Sequence, residues 1–334
     1  MGFRLIEIIL PTEKKEETEQ LLKEFDVNDY EYSKSSETHL EFRVVVEQDK
    51  SEDLLENLQK RYSNLKNFKI IIIPVEAVIP LHEKSEKTKQ KNNQEGRISR
   101  EEIYTKVSEM SELSNIYLIL AAASALVASI GLLNDDVAVI IGAMIITPLI
   151  GPSIGLALAN VMGNKEFAYK AIKTNLIGIL IATIISIVMG TLFTVDSQNP
   201  SIVLRTDVAR GSFFLALASG LAGSLAVTSG LTSTFVGVMI AVALLPPLAA
   251  FGLLVGSGNY VLALGALLLF SVNFVCINLT ATISFMMQKI EPLEEESLIN
   301  AKIMRRKSLI IWIILLIILY GVITFQRTLN VYMI

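Results

Sequence analysis

The sequence predicts an α+β soluble head joined to an all-α polytopic membrane domain of about seven transmembrane segments, with an internal, inverted three-helix repeat. Three observations lead there. Charge is split: residues 1–112 hold 18 of the 29 Lys/Arg and 24 of the 33 Asp/Glu, leaving 11 and 9 for residues 113–334. The chain is 52% hydrophobic with mean hydropathy +0.52, and the apolar residues gather in the second part in bilayer-length runs. Third, a shift of 95 residues lays the membrane half upon itself, with 16 identities in 52 ungapped positions over 120–171.

The expected boundaries are 1–80 for the head, 81–97 for a charged linker and 98–113 for a juxtamembrane helix. Residues 114–194 and 212–287 form the two membrane repeats, and 288–334 a charged loop with a final transmembrane helix. In the head, FRLIEIILP (3–11) is strand-like and EKKEETEQLLKEFD (13–26) is a helix with Leu21, Leu22 and Phe25 on one side. YEYSKSS (30–36) and HLEFRVVVE (39–47) form a hairpin, and KSEDLLENLQKRYSN (50–64) a second amphipathic helix. FKIIIIP (68–74) closes the head as a strand whose composition suggests burial on both faces. The order β-α-β-β-α-β is the ferredoxin-like pattern. That fold hosts many functions, a small-molecule sensor or an assembly module among them.

The linker HEKSEKTKQKNNQEG (82–96) has no apolar periodicity. Ser99 and Glu102 then make a capping box at the start of a helix that should run on into the first span. The N-terminus lacks the long apolar run and small-residue cleavage site of a secretory signal, so its short apolar stretch is expected to be a strand.

The candidate spans are 114–133, 137–161, 166–194, 212–230, 234–256, 260–287 and 308–326. In the self-comparison, GAMIITPLIGP (142–152) falls on GVMIAVALLPP (237–247), and Gly163–Asn164 on Gly258–Asn259. The repeating unit is a helix, a proline-broken segment and another helix. If the broken segment crosses, the second copy is upside down; if it re-enters, the copies are parallel. With the head inside, seven crossings put eight Lys/Arg inside and three outside, whereas the re-entrant arrangement gives seven and four. The positive-inside rule therefore favours seven crossings of the plasma membrane and a cytoplasmic head.

Irregular backbone at membrane depth survives only when buried in protein or lining a wet cavity. Two matched breaks suggest one shared site, built near Thr147, Pro148, Gly151, Pro152 and Ser153 in one copy and Pro246 and Pro247 in the other. Polar residues inside spans include Asn160, Asn175, Asn273 and Asn278, which either pair between helices or line a path. Asp135 and Asp136 stand at the mouth of the broken helix. They are expected to cap it, with Asn134 or Asp135 as N-cap, or to form a cation-attracting vestibule.

Other chemistries lack their residues. No Asp, Glu, Lys, Arg or His lies deep in a span, no phosphate loop or H-E-x-x-H occurs, and both histidines precede the membrane part. The expectation is no catalytic residue, no metal ligand and no cofactor, hence not an enzyme. The acidic head argues against nucleic acid. One cysteine, Cys276, cannot form an internal disulfide.

PVEAVIP (74–80), RISREEIY (97–104), AVIIGAMIITPLIGPSIGLALA (138–159) and IAVALLPPLAAFGLLVGSG (240–258) together resemble the hydrophobic membrane family known as domain of unknown function 389. More narrowly, they are similar to its branch with an N-terminal soluble domain. The resemblance covers about 68–287 and implies no activity. From the residues, the expected function is a transporter or channel-like protein for a small solute or ion, with a sensory or oligomerising head, working in the bilayer as a homo-oligomer. The rival is a membrane sensor or scaffold without transport.

Overall fold

The computed structural model describes residues 3–25, 27, 30–36, 38–75, 98–230, 244–292 and 295–332. The expected linker, 81–97, lies wholly outside them. The chain divides into two compact units, Met1–Ile103 with Thr228–Gly230, and the remainder.

The first unit carries β1 (Phe3–Pro11), α1 (Lys15–Glu24), β2 (Tyr30–Lys34), β3 (His39–Glu47), α2 (Gln48–Tyr62) and β4 (Lys69–Val75). The strands form one antiparallel sheet in the order β2-β3-β1-β4. Ile6, Ile8 and Leu10 stand opposite Val44, Phe42 and Leu40, so the period of two puts all six on one face. Leu21 and Leu22 of α1 and Leu54, Leu55 and Leu58 of α2 close the core over that face. Contrary to the sequence expectation, β4 is not buried on both faces. It is an edge strand whose Ile70 and Ile72 pack on the core while Ile73 is exposed.

Arg4 lies at the end of the buried stripe of β1. Burial of a charge requires a partner, and Glu102 supplies it, with Nε at 3.1 Å and Nη2 at 3.4 Å from its carboxylate oxygens. Ser99 Oγ accepts the Glu102 N–H at 3.3 Å, so that arm of the capping box is present. The two side chains are only 10% and 15% exposed. Glu102→Ala should therefore destabilise the first unit by about 3 kcal/mol, because it strands a buried guanidinium. Arg4→Met with Glu102→Leu should recover most of that loss. Hydrogen exchange of the β1 amides in the full chain measures both.

The remaining helices are α3 (Arg100–Met110), α4 (Asn115–Leu133), α5 (Val137–Ile146), α6 (Ile150–Met162), α7 (Lys165–Leu192), α8 (Pro200–Val203), α9 (Arg210–Ser229), α10 (Leu245–Gly256), α11 (Tyr260–Met287) and α12 (Glu295–Tyr332). Among the described residues, five are long and apolar enough to cross a membrane, and α5 with α6, bent by 45°, makes a sixth candidate. This is a multi-pass membrane protein. The expected span 234–256 falls partly outside the described residues, and its described part is α10.

Two boundaries correct the sequence reading. α3 does not run into the first span: it stops at Met110, and Ser114 caps a new helix by accepting the Tyr117 N–H at 3.1 Å. The charged stretch before the last span is a loop only at its start: residues 288–292 are non-helical, and from Glu295 on it forms the first turns of α12, a helix of 38 residues.

Contacts fix the helix directions. Tyr117 Oη donates to Thr174 O at 3.2 Å and Ser129 Oγ to Ser186 Oγ at 3.1 Å, both pairs 57 positions apart, so α4 and α7 run parallel. α6 and α7 are antiparallel across a tight turn at Gly163, where φ of +73° suits glycine. α10 runs parallel to α7: a Cβ on Gly252 would lie 2.4 Å from Ser186 Cβ, and one on Gly256 would lie 2.9 Å from Gly190 Cα. These small residues let backbones touch, the usual means of close packing between membrane helices. α9 lies along α11, with Gly220 against Ile277 and Ala216 clustered with Leu269 and Val272.

Element bounds recur along the chain. α7 and α11 each have 28 residues, and both their ends are offset by 95 positions. The same offset separates the starts of α4 and α9, the starts of α6 and α10, and the left-handed Gly163 and Gly258. α6 packs on α7 and α11, while α10 packs on α11 and α7. Each half-helix thus lies between the long helix of its own copy and that of the other.

Candidate functional site

The break is confined to three residues. Thr147 ends α5 in an extended conformation, φ −66° and ψ 131°, as a residue before proline must. Pro148 and Leu149 follow, and α6 begins at Ile150. Sequence reasoning spread the irregularity through Gly151, Pro152 and Ser153, but these belong to the first turn of α6. Pro246 and Pro247 likewise open α10. Proline is tolerated there because first-turn N–H groups have no intrahelical acceptor. Pro152 and Pro247 therefore start half-helices and do not break them.

The break faces the middle of α7. A Cβ on Gly178 would lie 2.3 Å from Tyr117 Oη and 2.8 Å from Leu149 Cδ2, so glycine alone leaves room. Ser153 Oγ, 3.2 Å from Leu149 O, is also 3.3 Å from Asn175 Oδ1. Following α10 back two turns from the Gly252–Ser186 contact brings its first turn level with Gly178. Both half-helices thus begin at the same height along α7. Thr147 is 6% and Asn175 3% exposed. Among the described residues, Thr147 Oγ1 and Asn175 Nδ2 have no hydrogen-bond partner. Each is an unmade bond in an apolar setting, costing about 1–3 kcal/mol.

The other predicted residues divide. Asn160 is half-buried towards the far end of α6 and lies away from the break. Asn273 and Asn278 are buried on α11. Asn278 Nδ2 donates to Phe274 O at 2.9 Å, and its Oδ1 is unpaired among the described residues.

Asp135 and Asp136 lie at the opposite end of α5 from the break. The N-cap is Asp136, not Asn134 or Asp135: its Oδ1 accepts from Ala138 and Val139 N–H at 3.0 and 3.1 Å. Asn134 instead terminates α4. Asp135 takes φ of +54°, and its Oδ1 accepts the Ser201 N–H at 3.0 Å. Asn199 Nδ2 donates to Leu132 O at 2.9 Å, which ties the segment before α9 to the same turn. Arg205 caps α8 through the Ser201 carbonyl. Burial pushes its guanidinium below its ordinary pKa, and Asp135 opposes that shift. Asp136→Ala should cost about 1 kcal/mol of stability. A thermal melt in detergent reads it; no change would mean that the cap is redundant.

Sequence reasoning missed Tyr117, the Ser129–Ser186 pair and a polar face of α12 formed by Arg305, Ser308 and Trp312. The serines left a signal, since Ser124 and Ser129 match Ser219 and Ser224 in the repeat register. Among the described residues, no three His, Cys, Asp or Glu side chains gather as metal ligands. An apolar groove of about 410 Å³ between α4 and α7, lined by Ala122, Leu126, Ile185 and Val188 among others, lies apart from these polar groups.

Comparisons with known proteins agree with the resemblance. The family described as Domain of unknown function (DUF389) matches residues 144–279, which hold the break, α6, α7 and most of the second copy. "Uncharacterized protein MJ0678" of Methanocaldococcus jannaschii is 34% identical over 277 residues, covering 83% of this chain and 85% of that protein. No solved structure matches the chain. With a relative this similar along most of both chains, the protein belongs to the DUF389 family of membrane proteins.

Proposed function

We propose that this protein is a transporter or channel-like protein that carries a small solute or ion across the plasma membrane. The observation that carries the reading is the meeting of two half-helix starts at mid-height of α7, beside buried and unpaired Thr147 and Asn175. Polar groups are left unmatched in lipid-embedded protein at a cost, and a passing polar solute would satisfy them.

In this reading the repeat is inverted and the chain crosses seven times. Support comes from helix directions. α4 and α7 point the same way, so the α5–α6 segment that joins the end of one to the start of the other has to return across the membrane. α10 follows α7, and the tight turn at Gly258 reverses α11. The two 28-residue helices of the copies then oppose each other, as in carriers with paired discontinuous helices. The head is taken as ferredoxin-like, supported by the order β2-β3-β1-β4 with two split β-α-β crossovers. It is cytoplasmic on the positive-inside count and joins copies into a homo-oligomer. No enzymatic role is assigned, nor any nucleic-acid partner.

The tight glycine seams at Gly190, Gly252 and Gly256 favour a second reading, a rigid scaffold without a path. Accessibility decides. In a Cys276→Ser background, Thr147→Cys should react with a small hydrophilic thiol reagent in membrane vesicles. If Thr147→Cys folds and is inert until denatured, the scaffold reading replaces transport.

A further inference from the structure

A second set of unmatched polar groups lies on the α11–α12 seam, away from Asn175. Phe274 of α11 and Trp312 of α12 meet edge to face with centroids 6.0 Å apart. The helices form an antiparallel hairpin, so one turn away Asn278 stands level with Ser308. Arg305, Ser308 and Trp312 follow at helical spacing on one face of α12. Asn278 is 0%, Ser308 6% and Trp312 8% exposed. Asn278 Oδ1, Ser308 Oγ, Trp312 Nε1 and Arg305 Nη2 are all without a partner among the described residues. The Asn278 orientation is fixed by its donation to Phe274 O, and an indole nitrogen can only donate.

The seam also reaches α6. Arg305 Nε donates to Val161 O at 2.9 Å, and a Cβ on Gly163 would lie 2.6 Å from Ala301 N. α12 therefore runs antiparallel to α6, and three turns beyond Ala301 it brings Trp312 level with Pro152 and Ser153. The row of free polar groups starts at the C-terminal end of α6 and ends at the height of the break. Donors dominate: a guanidinium N–H, a hydroxyl and an indole N–H, against the one amide oxygen. The carboxylate at the mouth, Glu291, is engaged by Arg305 Nη1 at 2.8 Å. Lys302, Arg306 and Lys307 are in the same stretch of sequence.

We propose that this seam is a hydrated access groove that binds small anions and leads them towards the break. Arg305 attracts the anion at the mouth. Ser308 and Trp312 donate to it further in, and Asn278 Oδ1 accepts a hydrogen bond from hydrating water. The role as an access route rests on the transport reading above; anion binding in the groove does not.

The test uses the full chain with Cys276→Ser and a single Ser308→Cys, in vesicles opened to reagent on both sides. Rates are compared for 2-sulfonatoethyl and 2-(trimethylammonium)ethyl methanethiosulfonate, each normalised to its rate with a free small thiol. The anionic reagent should react roughly tenfold faster on that scale, and Arg305→Gln should remove the preference. Asn278→Cys serves if Ser308→Cys does not fold. A thiol inert in the folded protein at both positions shows a dry seam and overturns the proposal. Reaction without anion preference overturns the ligand class. A reactive, anion-preferring seam with an inert Thr147→Cys keeps the groove and removes the transport reading; the reverse pattern keeps transport and removes the groove.

Discussion

Gly256→Leu should prevent the membrane unit from assembling. A Cβ at this position would lie 2.3 Å from Ile187 O and 2.9 Å from Gly190 Cα, so even the first added atom collides with backbone. Backbone cannot swing aside as a side-chain tip can. α10 would have to leave α7, and with it the contacts around Leu253 and Leu254, both fully buried. The expected loss is about 3 kcal/mol or more, the upper range for overpacking. Gly190→Leu, facing Leu253 O at 2.3 Å, should do the same. Gly142 is the contrast. A Cβ there meets nothing within 4 Å, so Gly142→Ala should be neutral or stabilise α5 by up to about 1 kcal/mol. Thermal melting in detergent, read by the surviving monodisperse fraction, separates these outcomes. A Gly256→Leu protein as stable as wild type would mean that α7 and α10 do not touch.

Pro148→Ala should leave the fold standing and close the site. The substitution restores a backbone donor and frees Thr147 from the extended conformation that a following proline imposes. α5 can then continue towards α6, easing the 45° bend. Thr147 Oγ1 would be drawn into the helix, where a threonine hydroxyl bonds the carbonyl four residues back. Reaction of Thr147→Cys with hydrophilic thiol reagents should fall by about tenfold, equivalent to ~1.4 kcal/mol. Pro152→Ala should change neither access nor stability appreciably, because that proline occupies a first-turn position. Equal effects at Pro148 and Pro152 would return the break to the broader stretch that the sequence suggested.

What the sequence made legible was periodicity. Alternation in HLEFRVVVE and helical spacing in the two head helices gave the element order, because each element buries one face. The exposed edge of β4 was hidden, since a run of isoleucines reads the same in an edge strand and a central one. Self-similarity gave the repeat register, and the structure places matching helix ends at that same offset. The site was legible only in outline. Proline marks an interruption, yet it is also welcome in the first turn of a new helix, so Pro148 and Pro152 looked alike while only one sits in the break. Asp136 took the cap from its neighbours because Asp135 turns left-handed to reach Ser201, a contact 66 positions away that no local pattern signals. Arg305 was hidden because the charged stretch read as a loop, and Ser308 and Trp312, at the start of the expected last span, because a polar face shared with Arg305 exists only once the helix is known to begin before them.

The account stands on two oppositely oriented copies that bring their half-helices together, and sidedness tests that most directly. Asn199 is buried and bonded to Leu132 O, so exposed Gln198 is the better reporter for that loop. Single cysteines at Lys165, Gln198 and Tyr260, in the Cys276→Ser background, would be labelled in intact cells with an impermeant thiol reagent. The account predicts that Gln198→Cys and Tyr260→Cys label from outside and Lys165→Cys only after the cells are opened. Labelling of Lys165→Cys from outside together with protection of Gln198→Cys would make the broken segments re-entrant and the copies parallel, and would contradict it.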